Sequence, residues 1–107
     1  MEAQMKKGLL EFGVLACLSR EESYGYQIIR DLSEWIEISE STLYPILRRL
    51  EGNKDVETEN REYHNRIRRY YRITDKGRER LDEFNRDQWR LHRLLAYIAG
   101  KESGIDG

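Results

Sequence analysis

Ile38-Ser39-Glu40-Ser41-Thr42-Leu43-Tyr44-Pro45-Ile46-Leu47-Arg48-Arg49-Leu50-Glu51 is the stretch that most narrows the folds open to this chain. Leu43, Ile46, Leu47 and Leu50 recur at three- and four-residue steps, so they line one side of a helix and point into a core. Ser41, Thr42, Tyr44, Arg48 and Arg49 fall away from that stripe. They offer hydroxyls, a phenol and two guanidinium forks, groups that suit phosphates and base edges in a groove. Ser39 or Ser41 can cap the helix start. Pro45 is harmless only near that start, where a missing backbone N–H costs little. The stretch reads as a DNA recognition helix.

One such helix needs a small scaffold, and 107 residues suffice for one domain with a modest core. Hydrophobic residues are 38% and charged residues 36% of the chain, so part of the apolar surface should be shared with a second subunit. No apolar run approaches the roughly 20 residues that a membrane helix needs, and Met1 to Lys7 lacks the apolar centre of a signal peptide. Cys17 is the only cysteine, which fits a reducing cytoplasm. The formal net charge of −1 does not advertise nucleic-acid binding, but charge placement does. Between Arg61 and Arg80, eight basic residues face three acidic ones. Phosphate affinity follows such a patch, not the global sum. The plainer reading of the run is a solvated surface.

Lys6 to Ser19 is apolar over most of a helical circumference, as a helix buried on several sides would be. Ser23 can cap a second helix from Tyr24 to about Trp35, with Ile28, Ile29 and Leu32 inward. Gly25 permits either close backbone approach to a phosphate or tight helix packing. Gly52 can take the left-handed conformation that closes the recognition helix. Val56-Glu57-Thr58-Glu59 and Arg68-Arg69-Tyr70-Tyr71-Arg72-Ile73 alternate as strands, with Tyr71 and Ile73 on one face. The tip near His64-Asn65 has no glycine, though Asn65 tolerates positive φ. Two strands with a basic tip after a recognition helix make a winged helix-turn-helix, its wing carrying Arg66 and Arg68 to the backbone or minor groove.

Thr74 caps the last helix, and Asp75 favours its positive end. Leu81, Phe84, Gln88, Leu91, Leu95 and Ile98 then step by three and four, a heptad seam with one polar member. From Asp75 to Ala99 such a helix is roughly 37 Å long at about 1.5 Å per residue. That exceeds what a small winged helix covers, so the seam should pack on a second copy; the rival reading folds it back on the chain's own first helix. The expected architecture is mainly α with a small two-stranded wing. Residues 1–74 form the winged helix-turn-helix, 75–99 the dimerisation helix and 100–107 a flexible tail.

These residues resemble the PadR family of bacterial transcriptional regulators. The likeness rests on Leu10-Glu11-Phe12 with Val14-Leu15, Ser23-Tyr24-Gly25-Tyr26-Gln27-Ile28, Ser39-Glu40-Ser41-Thr42-Leu43-Tyr44-Pro45 with Arg49-Leu50-Glu51, and Arg68-Arg69-Tyr70-Tyr71-Arg72-Ile73-Thr74 with Gly77. It covers about residues 8 to 98 and matches the short subfamily with a single C-terminal helix. The resemblance implies a homodimer that represses promoters by binding inverted repeats, and in some members a small aromatic or cationic compound releases the DNA. By position it places Thr42 and Tyr44 in the major groove, Tyr24 on phosphates, and Arg66 and Arg68 on the wing contact. Ser41 stands where glycine is frequent. Arg48 stands where histidine or lysine is common, and would read bases, most naturally guanine. Arg49 anchors phosphates.

Three departures stand out. Lys54 and Asp55 replace a glycine followed by leucine or isoleucine, so the turn into the wing must be rebuilt, around Gly52, with one core side chain missing. The wing is glycine-free and short, which limits minor-groove reach. Trp89 sits one residue after the seam position where drug-sensing members place a tryptophan, and Gln88 holds that position. Paired Trp89 side chains could stack a planar ligand; packing at the dimer flank is the plainer reading.

No nucleophile elbow, phosphate loop, dinucleotide glycine pattern or zinc spacing occurs, so an enzyme, a cofactor and a metal site are not expected. His64 reads either as a pH-sensitive phosphate contact or as an inert loop histidine. The expected function is a palindrome-binding regulator. Its rival is a winged-helix dimer that binds protein or ligand with little DNA role, supported by the neutral net charge and altered wing.

Overall fold

A computed structural model describes the backbone of residues 3–101 and the side chains of 8–101. Four helices surround a small antiparallel sheet: α1 (Ala3–Arg20), β1 (Ser23–Tyr24), α2 (Gly25–Leu32), α3 (Glu40–Gly52), β2 (Val56–Tyr63), β3 (Arg66–Ile73) and α4 (Asp75–Ile98). The sheet order is β1-β3-β2. The expected two-stranded wing therefore gains a third strand. Ser23 and Tyr24 pair with Tyr71 and Tyr70, an assignment too short for any alternation to reveal.

One core joins these elements. Leu10, Val14, Leu15 and Leu18 of α1 meet Ile28 of α2, the α3 stripe and Val56, Tyr71 and Ile73 of the sheet. Leu43, Ile46, Leu47 and Leu50 are all buried, as their spacing requires. Ser39 caps α3 by accepting the Thr42 N–H at 3.3 Å. Ile38 thus precedes the helix and is buried, as is Leu43, which places an apolar pair at the ends of the first turn. Thr74 caps α4 by accepting the Gly77 N–H at 3.1 Å.

Several local expectations change. Tyr24, not Ser23, occupies the N-cap of α2 and makes no side-chain cap; Ser23 is committed to the sheet, with its hydroxyl buried and unpartnered. Helix α2 stops at Leu32, short of Trp35. Pro45 is the sixth residue of α3, beyond the first turn. Its ring removes the donor that Ser41 C=O would use, tolerable because Ser41 is exposed. Gly52 does not take positive φ; Lys54 does, at 64°. The wing is not short. Its strands are eight residues each and meet in a two-residue tip, with His64 and Asn65 at φ 50° and 63°. Both positive angles belong to the mirror-image turn that matches strand twist, so this hairpin needs no glycine.

The α4 seam divides in two. Leu81 packs on the core, and Phe84 stacks on Phe12 with centroids 4.0 Å apart, so the first half folds back on α1. Beyond it Trp89, Leu91, Leu94, Leu95, Tyr97 and Ile98 are all exposed. Of the expected tail, Gly100 and Lys101 follow the helix as turn and coil; 102–107 lie outside the described residues.

Candidate nucleic-acid interface

The outward face of α3 carries Ser41, Thr42, Tyr44, Arg48 and Arg49, all exposed. Ser39 Oγ gathers the first two: Ser41 Oγ lies 3.0 Å away and Thr42 Oγ1 3.2 Å away. Tyr44 leans over Gly25, where a Cβ would fall 2.9 Å from the tyrosine Cζ and closer still to its hydroxyl. Between the two readings of Gly25, this contact favours packing: its missing side chain makes room for the Tyr44 ring against α2. The two arginines differ. Arg49 donates to Glu11 at 3.1 Å, whereas Arg48 has no carboxylate partner among the described residues.

The wing presents a second cationic surface, and strand register decides what its arginines can do. Tyr24, Glu59, Tyr70, Arg61, Arg68, Tyr63 and Arg66 share the face turned away from the core. Arg68 lies 4.0 Å from the Tyr24 ring centre and 4.4 Å from that of Tyr63, and Arg61 lies 4.3 Å from that of Tyr70. Guanidinium and phenol thus alternate along the sheet, each cation over an electron-rich ring. Arg68 is held between these tyrosine rings. Tyr24 is half-buried in the same stack.

Half of the basic run is neutralised by acids that sequence spacing did not connect to it. Arg61 pairs with Glu22 at 2.7 Å and with Glu59; Arg72 reaches Glu22 at 3.4 Å and Glu57 at 3.6 Å. Arg69 grips Glu51 at 2.9 Å, and Glu51 also accepts from Thr58. The Arg61 hydrogen bond holds the Glu22 carboxyl below its ordinary range, burial opposing and the charges of Arg61 and Arg72 assisting. At the tip, Arg66 is exposed with no carboxylate partner among the described residues. Ile67 beside it is 77% exposed, and an open hollow of about 390 Å³ is lined by Tyr63, His64, Arg66, Ile67 and Arg68. Tyr63 and Ile67 were not singled out from the sequence; an apolar residue at a basic tip was the available signal.

Away from this surface, an open groove of about 610 Å³ lies between α1 and the end of α2, edged by Trp35, with Cys17 and Asp31 within it. Burial pushes the Cys17 thiol up to about 11, helped by Asp31, so it stays protonated at neutral pH. No cluster of His, Cys, Asp or Glu suited to a metal occurs among the described residues.

A helix-turn-helix with a paired-strand wing and a long projecting C-terminal helix defines the winged-helix class of DNA-binding regulators. Residues 14–83 match the transcriptional regulator PadR-like family, and the chain belongs to it. Transcriptional regulator Rv3488 of Mycobacterium tuberculosis is 30% identical over 105 residues, spanning 97% of this chain and 95% of the relative. Among solved structures, a PadR-like transcription factor from Bacteroides fragilis superposes with TM-score 0.81 at 34% identity, covering 90% of this chain and 95% of that one. Bacillus subtilis PadR in complex with operator DNA has the same fold, with TM-score 0.65 at 21% identity over 70% of this chain and 45% of that one.

Proposed function

We propose that this chain is a cytoplasmic homodimer that binds an inverted-repeat operator and represses transcription, with a small aromatic or cationic compound as the releasing signal. Each α3 enters one major groove, the half-sites roughly 34–36 Å apart or a multiple of that. Arg48 reads a base, Thr42 and Tyr44 line the groove, and Ser41, Tyr24 and Arg49 meet phosphates. Arg66 and Arg68 extend the contact from the wing. The observation that carries this reading is the exposed Arg48, without a carboxylate partner among the described residues, on a helix whose opposite face is wholly buried.

Dimerisation is supported by the distal half of α4, whose large apolar side chains are left uncovered by the described residues. The expected seam is Leu81, Phe84, Gln88, Leu91, Leu95 and Ile98, with Leu81 and Phe84 already engaged by the core and Phe12 and the later members left to a partner. Trp89, 61% exposed on the flank, is the surface offered to a planar ligand.

The wing's internal ion pairs favour a second reading, a winged-helix dimer that binds protein or ligand. Fluorescence anisotropy with the duplex upstream of the protein's own gene, at two salt concentrations, separates the two. Steep salt dependence with discrimination against scrambled sequence supports the operator reading; flat, weak binding to both duplexes supports the second. A stable monomer in sedimentation at micromolar concentration, with and without DNA, would overturn the dimer.

A further inference from the structure

Position 55 lies between α3 and β2, facing the core, and is fully buried. An apolar side chain would suit it, yet it is an aspartate. Asp55 Oδ2 accepts from Arg80 Nη1, and Oδ1 has no partner. The other Arg80 nitrogen, Nη2, donates to Glu11 Oε1 at 2.9 Å, and Glu11 Oε2 accepts from Arg49 Nη2 at 3.1 Å. Asp55, Arg80, Glu11 and Arg49 therefore form one chain of alternating charge. It starts at the turn into the wing, crosses α4 and α1, and ends on the outward side of α3.

The backbone at the Asp55 end is fastened to the same helix. Asp55 O accepts the Thr74 N–H at 2.9 Å and the Thr74 hydroxyl at 3.0 Å. Lys76 Nζ donates to Asn53 O at 2.6 Å, and Gly77 leaves no room for a Cβ against Asp55 O. The first turns of α4 and the turn into the wing are thus fastened together, and Arg80, beside the Phe12–Phe84 stack, is the charged link from them to α1 and, through Glu11, to α3. Stability alone does not call for such a link. Only the Asp55 end of the pair is fully buried, and it keeps an unsatisfied oxygen; such pairs are often matched or bettered by apolar packing of similar volume, and their best-attested use is to select one arrangement over others.

We propose that Arg80 is a positioning residue for DNA recognition: through Asp55 and Glu11 it fastens the turn into the wing and α4 to α1, and so holds the Arg49 guanidinium of α3 at the groove edge. The proposal rests on the operator-binding reading above. Arg49 uses one nitrogen on Glu11, leaving its other N–H groups for a phosphate. A shift of α4 in the dimer would reach the reading face through this chain.

The test repacks the inner link. In the full-length protein, the double substitution Asp55→Leu with Arg80→Leu should melt at or above the wild-type temperature yet bind operator duplex roughly five- to tenfold more weakly, in the range of coupling losses seen for residues outside a site. Wild-type melting with operator affinity within twofold of wild type would overturn the proposal. Should that variant misfold, Glu11→Gln keeps the side-chain volume and should weaken operator binding while leaving melting nearly unchanged; undiminished binding would likewise overturn it. If the wild-type protein binds no DNA, the operator reading itself fails. The positioning claim is then read from the Arg49 Nη–H resonances, expected to be slowed in solvent exchange in wild type and quickened in Glu11→Gln. Identical exchange in the two would overturn it.

Discussion

The recognition helix and the wing are both arginine-rich, and the fold treats them in opposite ways. On α3 the two arginines are adjacent, yet Arg48 has no carboxylate partner among the described residues while Arg49 reaches back to Glu11. On the wing nearly every cation is answered: Arg61 and Arg72 share Glu22, Arg69 holds Glu51, and Arg68 is enclosed by tyrosines. At the tip Arg66 is again without a carboxylate partner among the described residues. A local excess of positive charge is therefore a poor measure of phosphate-binding capacity, because it omits carboxylates brought in from elsewhere in the chain. In this molecule they come from the α1–β1 turn, the end of α3 and the neighbouring strand.

The largest effect should come from Arg48→Ala. A bidentate base contact carries about 1–3 kcal/mol of discrimination, so operator affinity should fall roughly ten- to a hundredfold while binding to random duplex changes little. Equal losses on both duplexes, in an anisotropy titration, would place Arg48 with the backbone contacts. Arg66→Ala comes next, expected to weaken all sequences similarly and to lower the salt slope by about one unit. A slope unchanged from wild type would remove the wing tip from the interface.

Arg68→Lys tests the tyrosine stack. Charge is kept but planar stacking is lost, so the salt slope should hold while affinity drops about two- to fivefold, the scale of a surface cation–π contact. The smallest effects should attend Arg61, already committed to carboxylates: Arg61→Ala should leave the salt slope within error of wild type. Glu22→Gln should do the reverse, leaving Arg61 and Arg72 with one carboxylate each and steepening the slope. Acidification gives the same contrast without mutation. The Glu22 carboxyl lies below its ordinary value of 4.5, so its contribution to the fold is present above that pH and lost as pH falls through the lowered value. Wing cations should be released there, whereas Arg48 should be indifferent, as salt titrations at two acidic pH values would register.

Patterns of period three to four and period two, with the hydroxyl caps Ser39 and Thr74, were enough to establish from the sequence the helices α1, α3 and α4, the inward side of β3 and the outward face of α3. These are local consequences of side-chain geometry, readable within a turn or a pleat. Folding was needed to show that Ser23 and Tyr24 become a third strand, since two residues carry no period. It likewise placed positive φ at Lys54 instead of Gly52, because the turn is pinned by Thr74 and Lys76 from the far side of the chain. The division of the α4 seam between Phe12 and open surface, and the charge chain from Asp55 to Arg49, also belong to tertiary structure. Ion pairs join residues 25, 38 and 69 positions apart, and no local pattern encodes which acid will meet which arginine.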